Sequence, residues 1–137
     1  MSKIAVVFWS GTGNTEAMAN AVADGARSAG NDVTLFTADQ FSGAKVAEYD
    51  AIAFGCPAMG AEELEDGEFE PMFTDCQLSG KRIGLFGSYG WGDGQWMRDW
   101  ESRCRGMGAD LVSEGVIAND APGDAETAAC KALGAAL

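Results

Sequence analysis

Apolar runs of strand length alternate along this chain with segments whose apolar residues recur at helical spacing. The runs predict five strands, at residues 4–9, 33–36, 51–55, 83–86 and 111–116. The segments between them predict helices over residues 15–29, 43–48, 68–76, 94–105 and 123–136. Three of the runs are apolar throughout, which is typical of parallel strands that are covered on both faces. The pattern therefore predicts a three-layer α/β fold, a doubly wound, five-stranded parallel sheet with helices on both sides.

The length and composition of the chain are those of one globular domain. The sequence has 137 residues, of which 47% are hydrophobic, and it shows no internal repeat or linker. We therefore expect a single domain over residues 1–137. No charged and apolar leader precedes the first strand, and no apolar run reaches the length of a membrane span, about 18 residues. We expect a cytoplasmic protein that does not enter a membrane.

The net charge of the chain limits the kinds of partner that it is suited to bind. The formal net charge is −12, from 21 acidic and 9 basic residues, and histidine is absent. Such a chain is poorly suited to nucleic acid or an anionic membrane and favours a partner with a basic surface, although mere solubility explains the acidity equally well. The four cysteines form no C-x-x-C pair, so we expect reduced packing residues and no metal or iron–sulfur site.

The loop after the first strand reads Ser10-Gly11-Thr12-Gly13-Asn14-Thr15 and leads into a predicted helix. Glycines, hydroxyls and a helix N-terminus favour an anion. A nucleotide-hydrolysing P-loop would need a lysine here, and a Rossmann fingerprint would need a small residue in place of Glu16. The loop therefore predicts a site for a terminal phosphate monoester. The alternative is an ordinary turn in which Asn14 or Thr15 caps the helix.

Two further loops follow the third and fourth strands, and each offers a large side chain beside glycine. Met59 lies in the first and Trp91 in the second, outside the helical and strand patterns. A flat ring held between them would explain both positions; alternatively, Trp91 only covers the end of the sheet. Trp96 and Trp100, four residues apart, are typical of a helix face packed on the sheet.

Seven acidic residues and no basic one lie between positions 62 and 75. One interpretation is a solvated loop and helix start. The other is an acidic rim around the bound ring, which would disfavour negative charge on that ring and attract a basic partner. The two interpretations are compatible.

Taken together, the three loops resemble those of the flavodoxins, and the likeness runs the length of the chain. Residues 10–15, 56–65 and 87–92 are similar to the loops of the short-chain branch of that family. The resemblance implies a flavodoxin-like sheet of strand order 2-1-3-4-5 and FMN as cofactor. It also implies a monomeric, low-potential one-electron carrier that shuttles tightly but non-covalently bound FMN between semiquinone and hydroquinone. Its partners would be redox proteins, such as reductases and other oxidoreductases, with basic docking surfaces.

The resemblance also implies roles for individual residues. Hydroxyl and amide groups of residues 10–15 would hold the phosphate, Met59 and Trp91 would lie on the inner and outer faces of the ring, and Trp9 would lie near the ribityl chain. The Gly60-Ala61 peptide would turn over on one-electron reduction so that the Gly60 carbonyl accepts a hydrogen bond from the ring, with Glu62 at the pyrimidine edge. The complete set of expected cofactor-binding residues is Trp9, Ser10, Gly11, Thr12, Gly13, Asn14, Thr15, Pro57, Ala58, Met59, Gly60, Ala61, Glu62, Ser88, Tyr89, Gly90, Trp91 and Gly92.

Three other functions are less consistent with this sequence. An FMN-dependent quinone or nitro-compound reductase on the same fold would need a substrate pocket over the flavin, where Trp91 is expected. A receiver domain would need acidic residues after the first and third strands, where Trp9-Ser10 and Gly55-Cys56 stand. A cysteine phosphatase would need an arginine shortly after Cys56, and none follows.

Overall fold

A parallel sheet forms the centre of the protein in a computed structural model that describes residues 2–60 and 62–137. The strands are β1 (Lys3–Phe8), β2 (Asp32–Thr37), β3 (Ala51–Gly55), β4 (Arg82–Tyr89), β5 (Asp110–Leu111) and β6 (Val116–Asn119). Their order in the sheet is β2-β1-β3-β4-β5, and every pairing is parallel. The predicted α/β fold and strand order are therefore confirmed.

The fifth position of the sheet is filled by two short strands rather than one. We predicted a continuous strand over residues 111–116, but β5 ends at Leu111 and β6 begins at Val116, and both pair with β4. Between them the backbone turns towards the next layer, where the Gly115 amide donates to Glu101 Oε2 at 2.7 Å. The break follows from Ser113, Glu114 and Gly115, which have low strand propensity.

Helices cover both faces of this sheet. The α-helices are α1 (Asn14–Ser28), α2 (Phe69–Asp75), α3 (Gln95–Gly106) and α4 (Asp124–Ala136), and two 3₁₀ helices span Ala38–Gln40 and Gly43–Glu48. The predicted helices are confirmed to within two residues at each end, except that the segment at 43–48 is 3₁₀ rather than α. The fourth strand is longer than predicted, because it continues through Ser88 and Tyr89.

One side of the sheet, which we call the small-residue face, carries α1 and α4. Alternate residues of β1, beginning with Ile4, share one buried cluster with Ala19 and Ala23 of α1 and with Leu133 of α4. The two helices approach so closely that a Cβ at Gly25 would collide with the Lys131 carbonyl. Likewise, a Cβ at Gly134 would collide with the Val22 carbonyl.

The opposite side, which we call the aromatic face, carries α2 and α3. Its core contains six buried aromatic residues: Phe41, Phe54, Phe69, Phe73, Trp96 and Trp100. Their rings meet mainly edge to face, with centroids 5.0 Å apart for Phe54 and Phe73 and 5.5 Å apart for Phe69 and Trp100. The prediction that Trp96 and Trp100 pack on the sheet is confirmed, since each is 2% exposed.

The cysteines lie within these layers. Cys56, Cys76, Cys104 and Cys130 are free and buried, as predicted. Burial raises the pKa of each thiol to about 12, so all four are protonated packing groups. No helix among the described residues is both long and apolar enough to span a membrane.

Candidate functional site

Three loops meet where β1, β3 and β4 end, which we call the carboxyl edge of the sheet. Backbone hydrogen bonds continue from strand to strand past the strand ends. The Trp9 amide donates to the Gly55 carbonyl at 3.0 Å, and the Ala58 amide donates to the Ser88 carbonyl at 3.0 Å. The ladder therefore holds the starts of the three loops side by side, as expected for the ligand-binding edge of a parallel α/β sheet.

The residue at the N-cap of α1 has no side chain with which to cap the helix. Gly13 occupies the N-cap position with φ of 95° and provides no side-chain hydrogen bond. The Ser10 hydroxyl accepts from the amides of Gly13 at 3.1 Å and Glu16 at 3.2 Å, which closes the loop on itself. The alternative of Asn14 or Thr15 as the cap is therefore wrong. A helix N-terminus with glycine at its N-cap favours an anion in front of it.

Thr15 has a structural role that its position in the loop did not reveal. Its side chain is 1% exposed, and its Oγ1 lies 3.2 Å from Ser88 Oγ and accepts from the Ser88 amide at 3.4 Å. These contacts fasten the start of α1 to the end of β4. Thr15 and Ser88 thus fix the distance between two loops and line the cavity between them.

A cavity of about 240 Å³ opens between the three loops. Its lining residues are Trp9, Gly11, Thr12, Asn14, Thr15, Pro57, Ala58, Met59, Ser88, Tyr89, Gly90 and Asp120. Eleven of these twelve were predicted from the sequence, and Asp120 was not. The predicted residues that do not line it are Ser10, Gly13, Gly60, Glu62, Trp91 and Gly92, while Ala61 lies outside the described residues.

Met59 and Trp91 stand on the loops that border this cavity. Met59 is 37% exposed and Trp91 is 63% exposed, whereas the other large hydrophobic side chains of the described residues are mostly covered. A turn holds Met59 in place, since the Glu62 amide donates to its carbonyl at 2.8 Å and its own amide donates to the Glu63 carbonyl at 2.9 Å. Two exposed apolar groups beside a cavity are typical of a ligand site.

Glu62 does not line this cavity. Its backbone has a positive φ of 52°, and its carboxylate packs against the backbone of Gly92, where φ is 88°. Its Oε1 atom is buried and has no hydrogen-bond partner among the described residues. Glu62 lines a second cavity of about 230 Å³, on the side of α3. The structure thus brings the second and third loops together through Glu62 and Gly92.

Glu65 anchors the second loop at its far end. Its carboxylate accepts from the amides of Gly67 at 2.7 Å, Glu68 at 2.8 Å and Phe69 at 2.8 Å. Its own amide donates to Cys56 Sγ at 3.3 Å, so the two ends of the loop are joined. Although desolvation opposes the charge, the three backbone donors lower the pKa of Glu65.

Three other acidic residues of this segment also have partners within the fold. The Trp9 indole donates to Glu68 Oε1 at 3.2 Å, and the Gly43 amide donates to Asp75 Oδ2 at 2.8 Å. Arg103 makes two bonds with the Glu70 carboxylate, at 2.6 and 2.7 Å, and lies over the Phe73 ring. These bonds lower the pKa of Glu70 and raise that of Arg103. Much of the acidic segment therefore holds α2 in place.

Asp120 is the cavity residue that the sequence reasoning missed. It follows β6, has a positive φ of 57°, and its amide donates to the Tyr89 carbonyl at 2.8 Å. Pairing of β6 with β4 brings it beside the third loop. Its position could have been predicted from the polar segment 119–123, because this segment follows the last strand and therefore lies at the same carboxyl edge.

Comparison with known proteins agrees with this geometry. The flavodoxin family model matches residues 6–133. The chain belongs to the flavodoxin family. The flavodoxin of Megasphaera elsdenii is 47% identical over 135 residues, covering 97% of this chain and 96% of that protein. The flavodoxin of Clostridium beijerinckii is 45% identical over 123 residues, covering 88% and 89%.

The fold of a solved flavodoxin matches as well. The solution structure of the two-electron reduced flavodoxin of Megasphaera elsdenii aligns with a TM-score of 0.89 at 48% identity, covering 97% of this chain and 96% of that one. The resemblance to short-chain flavodoxins is thereby confirmed. Members of this family bind FMN and carry electrons to and from redox proteins. The chain is therefore an electron-transfer protein rather than an enzyme.

Proposed function

We propose that this protein binds FMN non-covalently in the cavity at the carboxyl edge and carries single electrons at low potential between redox proteins. The observation that carries the proposal is the arrangement of that cavity. It runs from the N-terminus of α1, where glycine occupies the N-cap, to the loops that bear Met59 and Trp91. A ligand with a phosphate at one end and a flat ring at the other fits both ends.

The phosphate end is supported by the first loop. Thr12 and Asn14 line the cavity, and the N-terminus of α1 opens into it. No lysine, arginine or histidine lies between positions 4 and 26, so amide and hydroxyl donors would bind the phosphate. Ser10 would act indirectly, because its hydroxyl is bonded to the amides of Gly13 and Glu16 and thereby shapes the loop.

The ring end is supported by the second and third loops. Met59, Tyr89 and Gly90 line the cavity there, and Trp91 stands beside them. Covering an exposed tryptophan with a ring would contribute on the order of 1 kcal/mol beyond the area it buries. Gly60 has open space where a Cβ would lie, which suits a peptide that turns over on reduction. The neighbouring Ala61 lies outside the described residues.

When bound, FMN would supply reversible one-electron chemistry. A hydrogen bond from the reduced ring to the Gly60 carbonyl, worth about 1 kcal/mol, would raise the first potential by tens of millivolts. Carboxylates around the carboxyl edge would disfavour the anion formed by the second electron. The protein would therefore shuttle between the semiquinone and the hydroquinone.

The charge distribution supports a partner with a basic surface. Carboxylates of Glu63, Asp66, Asp93 and Asp120 are exposed near the carboxyl edge. At the opposite edge the strands begin beside basic and acidic residues in equal number, namely Lys3, Lys81 and Arg82 with Asp32, Asp50 and Asp110. Because its negative charge is concentrated at the carboxyl edge, the molecule would be oriented electrostatically so that this edge meets a basic partner.

The test is a visible spectrum of the purified, FMN-loaded protein during stepwise anaerobic reduction. A yellow protein that turns blue and then colourless is expected. A protein that does not take up FMN would contradict the cofactor assignment. Yellow that bleaches directly to colourless would instead favour a two-electron reductase.

Matched variants test the cavity itself. Thr12→Val removes a hydroxyl from the cavity lining, and we expect FMN to bind about tenfold more weakly because one phosphate contact is lost. Thr34→Val, on the exposed side of β2, makes the same chemical change away from the cavity and should leave binding unchanged. Equal affinities in both variants would contradict the placement of the phosphate.

A further inference from the structure

We propose that Glu68 is a positioning residue for cofactor binding, because it holds the Trp9 ring in place as a wall of the cavity. The proposal rests on the proposed function and adds to it a residue that lies outside the cavity lining. The Trp9 indole donates to Glu68 Oε1 at 3.2 Å. Trp9 is half-buried and lines the cavity, whereas Glu68 is exposed and does not. Glu68 therefore acts on the bound cofactor through Trp9.

The Trp9 ring has open space on more than one side. It lines the cavity at the carboxyl edge, and it also lines a third cavity of about 230 Å³, whose lining includes Glu16, Asp39 and Glu68. Trp9 is the one residue common to the described linings of these two cavities. Part of the side chain packs against the core of the aromatic face. Because packing does not enclose the ring, polar and backbone contacts must fix its orientation.

Two contacts hold different parts of this ring. On the phosphate loop, a Cβ at Gly11 would lie 3.1 Å from Cη2 and 3.3 Å from Cζ3 of Trp9, so the six-membered ring lies close to the Gly11 backbone. The five-membered ring carries the N–H group that Glu68 accepts. The indole thus connects the first loop with the start of α2.

The backbone that carries Glu68 is held independently of its side chain. Glu68 occupies the N-cap position of α2, but its side chain makes no capping hydrogen bond. Its amide donates to Glu65 Oε1 at 2.8 Å, and its carbonyl accepts from the Met72 amide at 3.4 Å. A substitution at Glu68 therefore removes the contact with Trp9 and leaves the backbone contacts at the start of α2 in place.

A ring that is fixed before the cofactor arrives lowers the free-energy cost of binding. Because Glu68 holds the indole N–H, the freedom that Trp9 would otherwise lose on binding is already lost in the free protein. The Glu68 carboxylate also has an opposing effect, since its charge repels the phosphate of FMN at low salt. Variants that separate the hydrogen bond from the charge are therefore needed.

The experiment compares the FMN affinities of Glu68→Gln and Glu68→Leu, measured by flavin-fluorescence titration of the apoprotein. Both variants remove the charge, but only glutamine keeps a side-chain oxygen that can accept from the Trp9 indole. We expect Glu68→Leu to bind FMN about threefold more weakly than Glu68→Gln does, because the ring is then ordered only when FMN binds.

Trp9→Phe supplies the control, because it keeps an aromatic ring at this position and removes the N–H group. In that background, Glu68→Gln and Glu68→Leu should bind FMN equally well. The indole N–H resonances of the isotopically labelled apoprotein give a readout that needs no cofactor. The Trp9 resonance, assigned by its loss in Trp9→Phe, should move in Glu68→Leu and move less in Glu68→Gln, while those of Trp96 and Trp100 stay in place.

Three results would overturn the proposal. The first is equal FMN affinity of Glu68→Gln and Glu68→Leu when Trp9 is present. The second is a difference between them that persists in Trp9→Phe, since Glu68 would then act by another route. The third is a Trp9 resonance that is unchanged in Glu68→Leu. All three leave the proposed function standing, whereas failure of the unmodified protein to bind FMN would remove the function and the proposal together.

Discussion

The two faces of the sheet are packed by different means. On the small-residue face, glycines and alanines let α1 and α4 approach until backbone meets backbone, as at Gly25 and Lys131. On the aromatic face, the rings of α2 and α3 meet edge to face and fill a wider space. The first arrangement depends on the absence of side chains and the second on their size.

The two faces of the sheet support different parts of the site. The small-residue face contributes the N-terminus of α1, held by Thr15 and Ser88. The aromatic face supports the second and third loops, because the Trp96 indole donates to the Cys56 carbonyl at 3.2 Å and its ring lies 5.4 Å from that of Tyr89. The comparison indicates that the phosphate end depends on helix packing and the ring end on aromatic packing.

The largest effect is expected from adding a methyl group to the small-residue face. Gly25→Ala places a Cβ against the Lys131 carbonyl, so α1 and α4 must move apart. The free energy of unfolding should fall by about 3 kcal/mol or more, as measured by urea denaturation. Gly106→Ala, at the end of α3 with open space around its Cβ, is the control and should be neutral or slightly stabilising. Equal effects would show that close helix approach is not what distinguishes this face.

A pair of tryptophan variants tests the aromatic face. Trp96→Phe and Trp100→Phe remove similar volume, but only the first removes a hydrogen bond, since Trp100 Nε1 has no partner among the described residues. We expect Trp96→Phe to lower the free energy of unfolding by about 1–2 kcal/mol more than Trp100→Phe does, because the buried Cys56 carbonyl loses its donor. It should also weaken FMN binding. If Trp100→Phe lowers the free energy of unfolding by as much as Trp96→Phe does, side-chain packing alone stabilises this face.

A substitution at the junction between the two faces should lower the free energy of unfolding by a smaller amount. Thr15→Val keeps the shape of a buried side chain but removes the hydroxyl that meets Ser88. The expected loss is about 1 kcal/mol in the free energy of unfolding. A larger change is expected in FMN affinity, measured by fluorescence titration, since two loops share this contact. Unchanged affinity would contradict the proposed link between helix position and phosphate binding.

The smallest effect is expected in the pH dependence of stability. The pKa values of Glu65 and Glu70 are lowered in the folded protein, so both carboxylates stabilise the fold above the ordinary pKa of glutamate, about 4.3. This stabilisation is lost as the pH falls through the lower, folded-state values. Glu70→Gln and Glu65→Gln should therefore flatten the decline of stability in acid, as followed by circular dichroism. Asp124, for which no internal partner is seen among the described residues, offers a control in Asp124→Asn.

The local pattern of the sequence was enough to predict the α/β class and the cavity's three principal loops. Runs of apolar residues set strand positions, and glycines with hydroxyls after β1 indicated the phosphate loop. The exposure of Met59 and Trp91 followed from their neighbours, since neither belongs to a strand or a helix pattern. These features depend on residues close together in the chain, so sequence spacing reports them directly.

Tertiary structure alone decided the features that depend on distant residues. Arg103 pairs with Glu70, Trp9 with Glu68, and Thr15 with Ser88, and none of these pairs has a signature in local spacing. They arise because parallel pairing brings distant segments to one edge.

The same holds for Asp120, which pairing of β6 with β4 brings to the cavity. The break in the fifth strand has both kinds of cause, since residues 113–115 have low strand propensity and the Gly115 amide donates to Glu101 of α3. The sequence thus determined which segments form strands, helices and binding loops, because those depend on local periodicity and turn chemistry. Only the folded chain decided which charge faces the cavity, because that depends on how the segments pair in space.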